Sequence, residues 1–435
     1  MTILLLAHNE KENVIKVIEH FRKLRINGFD FSLILVDNGS TDDLKDWAKD
    51  QNDFIYTNYQ NMVPWSFAIK RVFNNFDICN QVLIMKPNFY PAELGCLNDL
   101  SEKLNEDENC AMISPVFTAS VYDESLYGKY GDVYRIVKPT NNFILFKKDI
   151  FRKVNILENI WTVGAFNLSI IIQITKMGYT FKQLNVPVLK DPYNYYEDAD
   201  SLNHMDDDKK LIDEEYKIHY FSGANYYLTK LINIEDKNSP IKVFEVGCDS
   251  GATLLHIKEH YPNATIIGCD INTNIVELAS HCLDKAFVAD IERDNIPIEP
   301  ESLDYIIFGD VLEHLRNPDY ALQLAHALLK PGGRVLASIP NTMHISVMRD
   351  LLQGNFTYEN YGLLDKTHIH LFTLNEIAKL FAQNGYAVEI CTYNQQPLSD
   401  DDNKLIDKLM EISDKCVARY MYEAYQYQIR AIKKV

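Results

Sequence analysis

The run Glu245-Val-Gly-Cys-Asp-Ser-Gly-Ala252 is the segment best suited to hold a ligand, because it ends an apolar strand and opens a helix. Gly247 and Gly251 let the backbone turn tightly beneath a bound group, and the first amides of the helix are free for polar atoms. Structural strand-to-helix turns need glycine for the same reason. Acids recur at the ends of the strands that follow: Asp270, Asp290 and Asp310. Asp270, about 20 residues beyond the glycine turn, suits hydrogen bonds from ribose hydroxyls. Helix capping or plain solvation is the alternative account of these carboxylates. In the first half, Asp37-Asn-Gly-Ser40 follows the second apolar strand, and Asn9 and Glu10 follow the first. Taken alone, that four-residue run also reads as an Asx turn.

These residues need a frame, and the apolar periodicity supplies one. Residues 3–7, 33–36, 82–85 and 112–116 read as buried strands. Between them Val14, Val17, Ile18, Phe21 and Leu24, then Leu94, Leu97, Leu100 and Leu104, recur at helical spacing. A second alternating series begins at Lys242, with strands at 243–246, 265–271, 287–289, 305–308, 335–339 and 388–391. Strand and helix alternate in both halves. That pattern predicts α/β domains with parallel sheets covered on both faces and ligands beyond the carboxyl ends of the strands. Asn317 before Pro318, and the Thr373-to-Glu376 capping box with Gly385 as stop, mark helix ends. Leu405, Leu409, Ile412, Cys416 and Tyr420 form one stripe, so the tail is expected to be helical.

Between residues 191 and 215, ten acids stand against Lys209 and Lys210, which marks the expected joint. Its aromatic stretch 193–200 could stack a sugar, although interdomain packing suits it better. The domains are therefore expected at 1–205, 206–395 and 396–435. With 435 residues, 47% hydrophobic and 24% charged, the chain is an ordinary globular one, neither collagen-like nor wholly disordered. A formal net charge of −18 opposes nucleic-acid or anionic-membrane partners. No apolar run reaches the ~18 residues of a spanning helix. The eight cysteines are scattered singly, without metal spacing, and read as reduced core residues. The expected location is cytoplasmic.

The motifs EVGCDSGA (245–252), GCDIN (268–272), VADIE (288–292), DYIIFGDVLEHLRNP (304–318), LLKPGGRVLASIPN (328–341) and GLLDKTHIHLFT (362–373) resemble class I S-adenosylmethionine-dependent methyltransferases. The resemblance covers about residues 220–395 and is nearest to bacterial enzymes encoded with, or fused to, glycosyltransferases. It implies a Rossmann-like seven-stranded fold and S-adenosyl-L-methionine as cofactor. By that likeness Glu245, Gly247 and Gly251 frame the methionine portion, with Asp249 among the expected cofactor-binding residues where relatives often carry a small residue. Asp270 meets the ribose and Asp290 with Ile291 the adenine, with Ile271 and Asp310 also among the expected cofactor-binding residues. Methyl transfer needs alignment and a base to take the acceptor's proton. Glu313, His314, His344, His368 and His370 lie on the expected loops, with His368 and His314 favoured because imidazole titrates near neutrality.

LLLAHNEKENV (4–14) and LILVDNGSTDD (33–43) resemble family 2 glycosyltransferases of the GT-A fold, over about residues 1–190. That likeness implies a nucleotide-sugar site of the UDP type, with Asp37 at the uracil and Asn9 and Glu10 beside it. Two expected features are absent. Met85-Lys-Pro-Asn88 replaces the metal-holding Asp-x-Asp, and residues 163–168 carry no acidic base. No metal ligands are assigned. Three readings stay open: Lys86 as a point charge on phosphate, binding without catalysis, or a scaffold or dimerisation module. The company of such a domain implies a glycan or glycosylated acceptor, which is an association rather than chemistry. A bifunctional enzyme is the alternative, and the oligomeric state is left open.

Overall fold

The protein is described by a computed structural model. It covers residues 1–434 except 27, 29, 92–93, 116–132, 137–142, 185, 187, 191–202 and 219–222. The aromatic-acidic stretch 193–200 therefore lies outside the described residues.

Two compact units divide the chain, Met1–Gly223 and Ala224–Val435. The division falls at 223/224 rather than 205/206, because the second part of the acidic stretch folds as the helix Met205–Tyr216 in the first unit. Asp208 on that helix accepts hydrogen bonds from the amides of Trp161 (2.8 Å) and Thr162 (2.7 Å), and the Tyr216 hydroxyl meets Ser169 at 2.9 Å. The charge-rich segment is thus partly a packed element and not simply a solvated hinge.

The first unit is built on strands β1 (Thr2–Ala7), β2 (Ser32–Asp37), β3 (Ile55–Asn58), β4 (Gln81–Met85), β6 (Cys110–Pro115), β7 (Val133–Ile136), β8 (Phe143–Lys147) and β9 (Thr180–Leu184). Their order is β3-β2-β1-β4-β8-β6-β9-β7, with a separate pair formed by β5 (Phe89–Pro91) and β10 (Val188–Lys190). The first four are parallel, but β8 runs antiparallel to β4, so the sheet is mixed where alternation predicted a parallel one. β1 is buried along its whole length, which its uninterrupted apolar sequence requires of a central strand. The helix Lys11–Ile26 covers it through Val14, Val17, Ile18, Phe21 and Leu24.

The second unit has seven strands: β11 (Lys242–Val246), β12 (Thr265–Asp270), β13 (Lys285–Val288), β14 (Leu303–Gly309), β15 (Leu329–Pro340), β16 (Tyr386–Gln395) and β17 (Ala424–Lys433). The order is β13-β12-β11-β14-β15-β17-β16. Side chains divide by the two-residue period: Phe244, Ile306 and Phe308 join the core on one face, and Val243, Tyr305 and Ile307 the core on the other.

The expected tail helix is corrected here. It stops at Ile412, and Ala424–Lys433 is a strand inserted antiparallel between β15 and β16. Tyr427, Ile429 and Ala431 alternate and are buried, so burial inside a sheet overrides the helical spacing seen upstream. The cysteines also differ from expectation, since Cys79, Cys391 and Cys416 are exposed. Among the described residues, no helix is long and apolar enough to cross a membrane.

Candidate functional site

In the second unit, chain order reverses between β11 and its neighbour β14, and crevices at such points receive ligands in open α/β sheets. Glu245 lies near the carboxyl end of β11, 4% exposed, and its Oε2 has no hydrogen-bond partner. Burial raises its carboxyl well above the usual range, and the nearby Asp249 and Asp270 add to the effect. Gly247 has φ +66°, and a Cβ there would meet Val311 Cγ2 at 2.7 Å; Gly251 has φ +86°, with Leu283 Cδ2 at 2.8 Å. Only glycine fits either position without displacement. Gly251 then caps the helix Ala252–His260. The Ser250 hydroxyl beside it is buried and unpartnered. The unpaired Glu245 Oε2, the Ser250 hydroxyl and the tight glycines fit a ligand rich in hydroxyl and ammonium donors.

The other strand-end acids surround the same turn. Asp270 accepts from the Asp249 amide at 3.1 Å and the Asn272 amide at 3.0 Å, tying the first two strand-end loops together. Ile271 is 75% exposed whereas Ile291 is buried. Asp290 accepts from the Glu292 amide at 2.9 Å and faces Arg293 at 3.4 Å. Its capping geometry is what a purely structural acid would also show. Asp310 accepts from the Ser338 hydroxyl (3.0 Å) and from Gln426. Desolvation pushes its carboxyl up to about 6, although its side chain keeps access to solvent.

The proposed bases separate into two groups. The turn Leu312–His314 and the loop before Phe372 are clamped together, because the Glu313 carbonyl accepts from the amides of Ile369 (2.8 Å) and His370 (3.0 Å). This brings the His314 and His368 rings to 4.8 Å, edge to face. His314 Nδ1 lies 3.2 Å from the Thr367 carbonyl and His368 Nδ1 3.2 Å from the Leu363 carbonyl. A carbonyl only accepts, so in the neutral rings Nδ1 carries the proton and Nε2 keeps its lone pair. Burial lowers the His368 imidazole, and His314 lowers it further. Glu313 is 1% exposed with both carboxylate oxygens unpartnered, and burial raises it well above the usual range. His344 and His370 stand apart: His344 caps the helix Ile345–Leu352 through Ser346, and His370 stacks on Phe372.

In the first unit, Asp37 is buried and accepts from the Ser40 amide (2.9 Å) and the Tyr56 hydroxyl (2.5 Å), so the Asx-type turn is present. Burial, then Asp37, pushes the Tyr56 phenol up. Asn9 adopts φ +55° and links to Ser40 and Thr41. Lys86 is fully buried, paired with Glu10 at 3.3 Å and 4.8 Å from the Trp65 ring centroid. That engagement argues against the first of the three open readings, Lys86 as a point charge on phosphate. Residues 163–168 open the helix Val163–Lys176, and the carboxylate beside its N-terminus comes from Asp208.

Sequence reasoning missed Ser338, Gln426, Trp65 and Asp208. Gln426 and Asp208 sat in segments read as tail helix and joint, and Trp65 carried no spacing signal.

Known proteins similar to this chain include methyltransferases. A tRNA N(3)-cytidine methyltransferase from Gallus gallus is 30% identical over 162 residues, 33% of this chain and 42% of that protein. O-methyltransferase 3 from Dictyostelium discoideum is 24% identical over 228 residues, 47% of this chain and 51% of that protein. The chain spans about half the length of the curated relatives it matches. Among solved structures, an S-adenosylmethionine-dependent methyltransferase from Mesorhizobium loti is 16% identical, with TM-score 0.34, covering 48% of this chain and 96% of that one. One from Archaeoglobus fulgidus is also 16% identical, with TM-score 0.35, covering 52% and 99% respectively. Residues 219–389 match the family described as "Methyltransferase domain", so the C-terminal region of this chain carries a methyltransferase domain.

Proposed function

We propose that the second unit is an S-adenosylmethionine-dependent methyltransferase that acts on a glycan or glycosylated acceptor. The observation that carries the cofactor reading is the buried Glu245 carboxylate, whose Oε2 has no hydrogen-bond partner, beside two left-handed glycines at the carboxyl end of β11. In this reading Glu245, Gly247, Asp249 and Gly251 hold the methionine portion, Asp270 accepts from ribose hydroxyls, and Ile271, Asp290 and Ile291 bound the adenine. Asp310 closes the row beside them. S-adenosylmethionine, when bound, supplies a methyl group already activated on sulfonium. The chain's own residues bind, orient and handle the acceptor proton, with Glu313, His314 and His368 nearest that task.

A glycan suits the acceptor side better than the tRNA named for several of the relatives. The loop that carries His368 exposes Phe356, Tyr358 and Tyr361, flat rings on which a sugar can stack. With 61 acids against 43 bases, the chain lacks the overall charge that gathers a polyanion. For the first unit we propose nucleotide or glycan binding, or scaffolding, without sugar transfer. The buried Lys86–Glu10 pair supports this, since Lys86 stands in the segment that replaces the Asp-x-Asp and is buried against Glu10. Transfer of radiolabelled methyl from S-adenosylmethionine to a glycan panel, against bulk tRNA, tests the acceptor. Labelled tRNA with unlabelled glycans overturns the glycan reading. Calorimetry with UDP and UDP-sugars tests the first unit, where no heat at millimolar ligand leaves only the scaffold, and release of free UDP from a UDP-sugar overturns the noncatalytic reading.

A further inference from the structure

The Glu313 carboxylate is costly as it stands. Both oxygens are buried without a hydrogen-bond partner, although buried polar atoms left unsatisfied are rare and costly in a fold. One nitrogen of His314 and one of His368 complete a group with a Glu313 oxygen, all within 4.8 Å of one another. Ligands 2.0–2.2 Å from one ion sit roughly 3–4 Å apart, so closure needs side-chain shifts of about 1 Å.

The surroundings prepare these side chains for a cation. Each imidazole directs Nδ1 at a backbone carbonyl, Thr367 for His314 and Leu363 for His368. Such outer partners fix the tautomer and ring plane of metal-ligating histidines and leave the other nitrogen as donor. The backbone clamp from Ile369 and His370 onto the Glu313 carbonyl holds the two supporting segments in register. Asp310, whose oxygens already accept from Ser338 and Gln426, adds negative potential nearby. Two imidazoles and one carboxylate suit zinc, manganese or ferrous iron better than magnesium or calcium, which prefer all-oxygen sets.

We propose that Glu313, His314 and His368 bind one first-row divalent cation of the manganese or zinc class. The cation neutralises the Glu313 carboxylate and leaves coordination positions open toward solvent, because the two histidines are only partly buried. Its role rests on the methyltransferase reading: an acceptor hydroxyl held on the cation is acidified and loses its proton to water. Binding itself does not depend on that reading.

The test is titration of the metal-free full chain with Mn2+ and, separately, Zn2+ by calorimetry, with electron paramagnetic resonance of the Mn2+ form. One equivalent should bind, with nitrogen hyperfine coupling in the spectrum. His314→Ala, His368→Ala and Glu313→Gln should each weaken binding about tenfold or more. The spectrum of the wild-type protein needs no variant to fold. No binding at millimolar metal, a spectrum without nitrogen coupling, or undiminished binding in a folded His368→Ala protein overturns the site. S-adenosylhomocysteine titrated into the same samples separates the two ideas. Metal binding without cofactor heat keeps the site and removes the methyltransferase reading, and the reverse result removes the site alone.

Discussion

Replacing Asp270 by Ala should weaken S-adenosylhomocysteine binding more than it harms the fold. In the structure its carboxylate accepts from the amides of Asp249 (3.1 Å) and Asn272 (3.0 Å), so the substitution loosens the glycine turn as well. Hydrogen bonds to a charged acceptor contribute about 1.5–3 kcal/mol each, and water recovers much of that at a half-exposed site, leaving a stability cost of about 2 kcal/mol. For a unit of this size, ~2 kcal/mol corresponds to about 4–8 °C in melting temperature. Loss of one ribose contact to the carboxylate should add a fall of about 10- to 150-fold in affinity. Asp270→Asn keeps one acceptor oxygen and should lie between. Calorimetry on protein shown to be folded measures the first effect and thermal melting the second. A folded Asp270→Ala protein with unchanged affinity would refute the assignment and leave Asp270 as a clamp between two loops.

Burial, helped by His260, pushes the His256 imidazole down to about 3. Its folded value lies below the unfolded one near 6.5, so its contribution is complete above pH ~6.5 and declines as pH falls toward 3. Screening of the half-buried ring limits the loss to about 1–2 kcal/mol between pH 7 and 5. Urea melts of wild type and His256→Gln at both pH values check this, and equal losses would contradict it. Lys86→Met leaves Glu10 without its buried cation and should destabilise the first unit by about 3 kcal/mol or more; an unshifted urea midpoint would count against the pair. Truncation after Glu423 removes β17 from between β15 and β16 and should abolish both the near-ultraviolet signature and S-adenosylhomocysteine binding of the second unit. Retained cooperative melting of that unit would contradict the sheet order.

The strands that carry the candidate sites were legible because each is a short apolar run ended by turn residues: residues 3–7, 82–85 and 243–246 each fall within a strand. Long-range pairings were less legible. Val133–Ile136 and Phe143–Lys147 join the first sheet antiparallel to their partners, and no local periodicity announces which edge a strand will take. Tyr427, Ile429 and Ala431 alternate as a strand does, but the three-and-four spacing from Leu405 to Tyr420 dominated the reading of the tail. The acids of the second-unit site could be read from their positions at strand ends. Their partners could not, since Gln426 reaches Asp310 across 116 residues. His314 and His368 were visible as candidates, whereas the orphaned Glu313 carboxylate between their loops is a property of burial that spacing does not reveal.

The most direct test is hydrogen exchange of the full chain, read by mass spectrometry with and without S-adenosylhomocysteine. Protection should concentrate in residues 245–252, 270–272 and 289–292, the loops at the carboxyl ends of β11, β12 and β13. Protection absent from all three segments, or confined to the first unit, would contradict a cofactor site in the second.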